Sequence, residues 1–279
     1  MFRARLRIPR ISVAAPRVPM VRQQHRSLHD YPDLPHDFTA GVPGLLSADG
    51  FDMAWTQYMR LILDKLNALT AGTDLEQRDS LQILLATARD PDQAPVFNHA
   101  SMLHNTHFFF KHLTPNPQPM PEHLANDLVV SFSSLETLRR EMVLTASTMF
   151  GPGFVWLVKA GHQDYRVLTT YLAGSPHPGA HWRLQSTDMN TVGLGGSANG
   201  YFQRGAAALG PSGAKPPGAL DVVPLLCLNT WEHTWLRDYG IGAGGVGGKK
   251  AFAEAWWEVV DWNLVADLAN IPKRRDFVV

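Results

Sequence analysis

The hydrophobic period of the chain turns from helical to extended at Gly151-Pro152-Gly153, and that change restricts the fold more than any other feature. Before it, FDMAWTQYMRLILDKLNAL (51–69) sets Met53, Trp55, Tyr58, Leu61, Ile62, Leu66 and Leu69 three and four residues apart. That spacing predicts a long amphipathic helix, with Ser47 and Asp49 as candidate caps. Further helices are expected around Ser80–Ala88 and over His99–Leu113, the second ended by Pro115 and Pro117. SSLETLRREMVLTASTMF (133–150) predicts another, its capping box read as Ser133 with Glu136 rather than Ser134 with Thr137. After the break, FVWLVKAG and YRVLTTYL predict a hairpin turning at His162–Asp164, and DVVPLLCLN a third strand. KAFAEAWWEVVDWNLVADLAN (250–270) reads as one closing helix. Helices, a small sheet and a final helix make an α+β pattern.

The first thirty residues stand apart. Arg3, Arg5, Arg7, Arg10, Arg17, Arg22 and Arg26 precede the first acidic residue, Asp30, with aliphatics and prolines between them. This reads as a mitochondrial presequence over 1–27, cut near Arg26–Leu28, in preference to a nucleic-acid-binding arm. Without those arginines the body keeps 18 of 25 basic residues against 25 acidic ones, a formal charge of about −7. Such a body is not built to grip a phosphate backbone, so rRNA contact is expected only locally, for example at the tail PKRRDF (272–277). No apolar run approaches the ~18 residues that would suggest a membrane span. The lone Cys227 excludes a disulfide within the chain. Ten glycines and five prolines among residues 173–220 mark a flexible insertion. The expected organisation is 1–27 presequence, 28–118 helical hairpin domain, and 119–279 α/β domain carrying that insertion.

Three motifs bear on chemistry. GIGAGG (240–245) matches a dinucleotide-binding glycine pattern, but a helix-like segment precedes it instead of a strand, so it reads as a turn. His99, His104, His107 and His112 crowd one segment, and His104 and His107 have a spacing that can ligate metal. Glu232 and His233 could be a general acid and base, or a buried pair satisfied by hydrogen bonds. The residues alone leave that choice open.

Several stretches resemble the iron/manganese superoxide dismutases: WEHTW (231–235), SSLETLRREMVLTASTMFGPGFVWLV (133–158), FNHASMLHNTHFFFKHLTP (97–115) and AFAEAWWEVVDWNLVADL (251–268). The resemblance implies an N-terminal helical hairpin followed by an α/β domain with a three-stranded antiparallel sheet. It also implies a metal held by three histidines and an aspartate, at positions occupied here by Ala54, Thr106, Asn229 and His233. Only His233 keeps the family's ligand; His107, one residue beyond Thr106, lies about 100° round a helix and faces elsewhere. The family's gateway tyrosine corresponds to Ile62 and its metal-tuning glutamine to Met102. Without those donors neither a bound metal nor a cofactor is expected, and no catalytic residue.

In that family the Glu-His pair also bridges the dimer, so Glu232, His233, Tyr58 and Leu236 are the expected interface residues. The family's cross-dimer tyrosine and histidine are here Leu236 and Tyr58, which points to an unequal partner, because a two-fold interface must complement itself. Leader, dismutase-like body, lost ligands and added loops together resemble the dismutase-like proteins of the fungal mitochondrial ribosome's small subunit, which occur as two pairing paralogues. The expectation is a structural, non-catalytic subunit in the mitochondrial matrix, bound to a paralogous chain and to other small-subunit proteins. The rivals are an active mitochondrial dismutase and a stand-alone scaffold or RNA-binding protein.

Overall fold

The computed structural model describes residues 29–180 and 221–271. The expected presequence, most of the insertion and the PKRRDF tail lie outside them. The first rod starts at α1 (Ala48–Phe51), passes through a π-helical stretch (Asp52–Gln57) and continues as α2 (Tyr58–Thr70). Ser47 caps it by accepting from the Gly50 amide, while Asp49 is not the cap. The Ser47 hydroxyl also donates to Asp238 (2.6 Å), tying the rod to the far end of the chain. After α3 (Ser80–Thr87), α4 (Ala94–Lys111) returns along both α2 and α3. Its buried face includes Phe97, Phe109 and Phe110, and each fully buried phenylalanine is worth ~1.5–3 kcal/mol.

The helix α5 (Glu122–Phe132), not anticipated above, is followed by α6 (Leu135–Thr148). Two adjacent serines do opposite jobs between them. Ser133 takes a left-handed φ of 65° and ends α5, whereas Ser134 is extended and its hydroxyl accepts from the Thr137 amide. The capping box assigned to Ser133 is therefore corrected to Ser134, because a residue closing one helix in a left-handed conformation cannot also supply the extended N-cap of the next.

Beyond the Gly-Pro-Gly break lie β1 (Gly153–Gly161), β2 (Asp164–Tyr171) and β3 (Val223–Asn229), an antiparallel sheet in the order β2-β1-β3. The central β1 is buried from Phe154 to Val158, which explains its unbroken apolar run; β2 and the outer end of β3 meet solvent. The chain then forms α7 (Glu232–Tyr239), α8 (Gly248–Trp257) and α9 (Trp262–Ala269).

The single closing helix expected over 250–270 is thus two helices. Between them the backbone pairs with the segment after α4: the Thr114 amide donates to the Val259 carbonyl (2.9 Å) and the Asp261 amide to the His112 carbonyl (2.8 Å). Asp261 then caps α9 by accepting from the Asn263 and Leu264 amides. This join staples the helical domain to the α/β domain. Among the described residues, no helix is long and apolar enough to cross a membrane.

Residues 173–180, the beginning of the predicted insertion, lie against α4. The Ser101 hydroxyl donates to the Ala173 carbonyl (2.6 Å), Asn105 Nδ2 to the Gly174 carbonyl (3.0 Å), and the Nε2 atoms of His104 and His177 stand 2.9 Å apart.

Candidate functional site

The residues singled out by resemblance sit on four elements packed together: Ala54 in the π-helical stretch, Thr106 on α4, Asn229 at the end of β3 and His233 at the start of α7. Ala54, Thr106 and Asn229 are wholly buried. Tyr58, one turn beyond Ala54, lies flat on His233, with ring centroids 3.9 Å apart and planes inclined by 22°. Trp231 flanks the same imidazole at 5.6 Å.

Asn229 is oriented by its own chain. Its Oδ1 accepts from the Trp231 amide (2.9 Å), a tight turn that also aims the following α7. That bond leaves Nδ2, a donor, buried without a protein partner among the described residues. The same holds for Thr106 Oγ1 and His233 Nε2, and for the neighbouring Asn105 Oδ1 and Trp231 Nε1. Buried polar atoms are normally paired, so these orphans mark polar positions of the interior that internal water can serve.

Burial sets the ionisation here. The His233 pKa is pushed down to about 4 and the Tyr58 hydroxyl is pushed up, both by desolvation. Near neutrality both rings are uncharged. Glu232 opens α7 half-buried, and its field partly offsets the burial that lowers the Lys249 ammonium. That ammonium donates to the Met149 carbonyl (2.6 Å). Leu236, one turn on, is partly exposed.

The histidines of α4 and of its C-cap diverge. His99 donates through Nδ1 to the Pro95 carbonyl (2.7 Å), His107 through Nε2 to Asp33 (3.0 Å) and His112 through Nδ1 to Phe108 (2.7 Å); His104 meets His177. His107 packs beside Trp55, with ring centroids 6.1 Å apart. Among the described residues no group of three or more His, Cys, Asp or Glu side chains could hold a metal ion. The GIGAGG turn follows α7 instead of a strand, and four of the glycines there, Gly240, Gly242, Gly244 and Gly245, take positive φ. Cys227 is buried in β3, its thiol pKa raised by burial.

Comparison with known proteins places this architecture. The family described as iron/manganese superoxide dismutases, C-terminal domain, matches residues 120–189 and 211–268. The fold is dismutase-like. Small ribosomal subunit protein mS43 of Schizosaccharomyces pombe is 27% identical over 248 residues, covering 86% of this chain and 84% of that protein. Small ribosomal subunit protein mS42 of the same organism is 28% identical over 190 residues, 66% of this chain and 70% of its own length. The iron superoxide dismutase of Escherichia coli is 24% identical over 238 residues, 85% and 96% of the two chains.

The donor set of this dismutase-like chain does not fit the metal that the fold implies. A methyl at Ala54 has no lone pair. Thr106 offers a neutral hydroxyl, and Asn229 presents the hydrogens of its amide, because its oxygen is engaged by Trp231. His233 Nε2 remains as one imidazole lone pair, too few donors to hold a redox-active ion or to set its potential. What the sequence did not reveal is the Tyr58–His233 stack. Its only signal is an aromatic residue one turn past Ala54, a spacing shared with ordinary core positions.

Proposed function

We propose that this chain is a structural, non-catalytic component of the mitochondrial small ribosomal subunit, working in the matrix as a dismutase-shaped scaffold. The observation that carries the reading is Asn229: in the seat of a carboxylate it leaves a buried amide N–H pair, which cannot ligate a metal, and Ala54 and Thr106 add no imidazole. Similarity to mS43 along most of both chains supports the ribosomal assignment. Likeness to both mS42 and mS43 of one organism supports pairing with a paralogous chain.

Pairing is assigned to the face that bears Glu232, His233, Tyr58 and Leu236. Glu232 has no ion pair within the described residues and is available to a partner's imidazole or cation. Contact with other small-subunit proteins completes the assembly, with rRNA touched only locally.

Sedimentation of mitochondrial lysate tests the ribosomal role: the chain is expected to travel with the small-subunit rRNA and to leave that fraction only when the particle is disrupted. Metal analysis of the purified protein tests the rest. Near-stoichiometric iron or manganese together with dismutase turnover would overturn the non-catalytic reading.

A further inference from the structure

We infer that proteolytic removal of the arginine-rich leader stops at or before the peptide bond preceding His29, because residues 29–38 are a strap that completes the helical domain. The inference rests on the mitochondrial reading above for the existence of a leader; the strap itself rests on contacts within the chain.

One side chain grips the start of the strap from both sides. Asn67 accepts from the His29 amide through Oδ1 (2.8 Å) and donates through Nδ2 to the His29 carbonyl (3.4 Å). The His29 ring reaches the same helix at the buried Thr70, Nε2 to Oγ1 at 3.1 Å. Because the Thr70 hydroxyl already donates to Leu66 (2.9 Å), the imidazole is the donor. Two residues on, Tyr31 sets its ring edgewise against Trp55, and its hydroxyl donates to the carbonyls of Trp55 and Thr56. Both carbonyls belong to the π-helical stretch, where the regular α-helical bonding is interrupted and an outside donor is of use. The Asp33 carbonyl accepts from His107 on α4 (3.0 Å). The strap ends at Phe38, fully buried against Phe51 at 5.8 Å. From Tyr31 to Asp37 exposure alternates residue by residue, as for an extended segment laid along a surface.

A peptidase must draw an extended backbone into its own site, and backbone groups held by Asn67 and His107 are not available for that. Hydrolysis within the leader adds one water across a peptide bond, leaving a carboxylate on the leader fragment and an ammonium on the retained chain. A cut directly before His29 leaves that ammonium able to donate to Asn67 Oδ1 in place of the amide, and Glu76 lies close enough to act electrostatically on His29. A cut after Tyr31 removes the Asn67 clamp and the donor to the π-helical carbonyls together.

Two truncated chains and the full chain test the strap. A chain beginning at His29 is expected to melt with the full chain, and one beginning at Leu34 ~5 °C or more lower. Equal melting of the two truncations overturns the strap. As a second readout that does not depend on a poorly folding truncation, aminopeptidase trimming of the His29 chain is followed by mass. Loss of His29 and Asp30 is expected at least ~10-fold faster in Asn67→Ala than in the parent, and equal rates overturn the clamp. Intact mass of the protein recovered from mitochondria fixes the boundary: a terminus at or before His29 is expected, and one beyond Tyr31 overturns the inference. A terminus still at Met1 overturns leader removal, while the melting comparison decides the strap independently.

Discussion

Tyr58 and His233 lie face to face at 3.9 Å although one belongs to the first long helix and the other follows the last strand. The contact joins the N-terminal helical domain to the α/β domain through two neutral rings. In the dismutase arrangement that this fold resembles, the same histidine is a metal ligand. Here an aromatic face covers it, and packing does the work of holding the two domains together at that point.

Tyr58→Ala is therefore expected to cost ~2–4 kcal/mol in urea unfolding, near the range for truncating a buried aromatic. Tyr58→Phe, which keeps the ring, is expected within ~1 kcal/mol of the parent because among the described residues the hydroxyl makes no hydrogen bond. Equal effects of the two substitutions would show that the stack contributes nothing.

The buried imidazoles predict an acid-sensitive fold. The pKa values of His233, His112 and His177 are lowered to about 4 and that of His104 to about 3, chiefly by burial, from an unfolded value of 6.5. Between those limits the unfolded chain binds more protons than the folded one, so stability rises with pH across the window and levels off above it. Urea midpoints measured from pH 8 to pH 4.5 should fall steadily below pH 6.5. His233→Gln should flatten that slope, and an unchanged slope would remove His233 from the account.

Asn229→Asp tests the reading of the buried centre. The substitution restores a carboxylate but places it beside a methyl and a hydroxyl, with no cation to meet it, and an uncompensated buried charge costs ~3–5 kcal/mol. Added manganese or iron is expected to leave the melting temperature of this variant unchanged. A rise on adding metal would mean that the remaining groups can hold the ion after all.

The paired serines give a contrast in sign. Ser134→Ala removes the cap of α6 and should cost ~1 kcal/mol. Ser133→Gly relieves a left-handed φ of 65° and should be neutral or stabilising by up to ~1 kcal/mol. Thermal unfolding of the two single variants decides it, and destabilisation of similar size in both would contradict the assignment of their roles.

The sequence by itself determined the periods, and with them the elements. The three- and four-residue spacing of 51–69, the apolar run of β1 and the Gly-Pro-Gly break each follow from local chemistry, and the change of period fixed the α+β class. It also fixed which donors are present: a methyl cannot become an imidazole by folding. Only the tertiary structure decided which way the donors turn and what covers them. The closing helix broke at Glu258–Asp261 because backbone bonds to His112 and Thr114 compete there, and those partners lie far away in the chain. The histidines from His99 to His112 looked like one cluster in sequence, yet α4 and its C-cap distribute them round the helix axis toward different neighbours. At Asn229 a local turn engages the oxygen with the Trp231 amide, and it is the fold that buries the N–H pair left over. Periodicity is written in neighbouring residues, whereas hydrogen-bond direction and ring stacking depend on groups that meet only when the chain has closed.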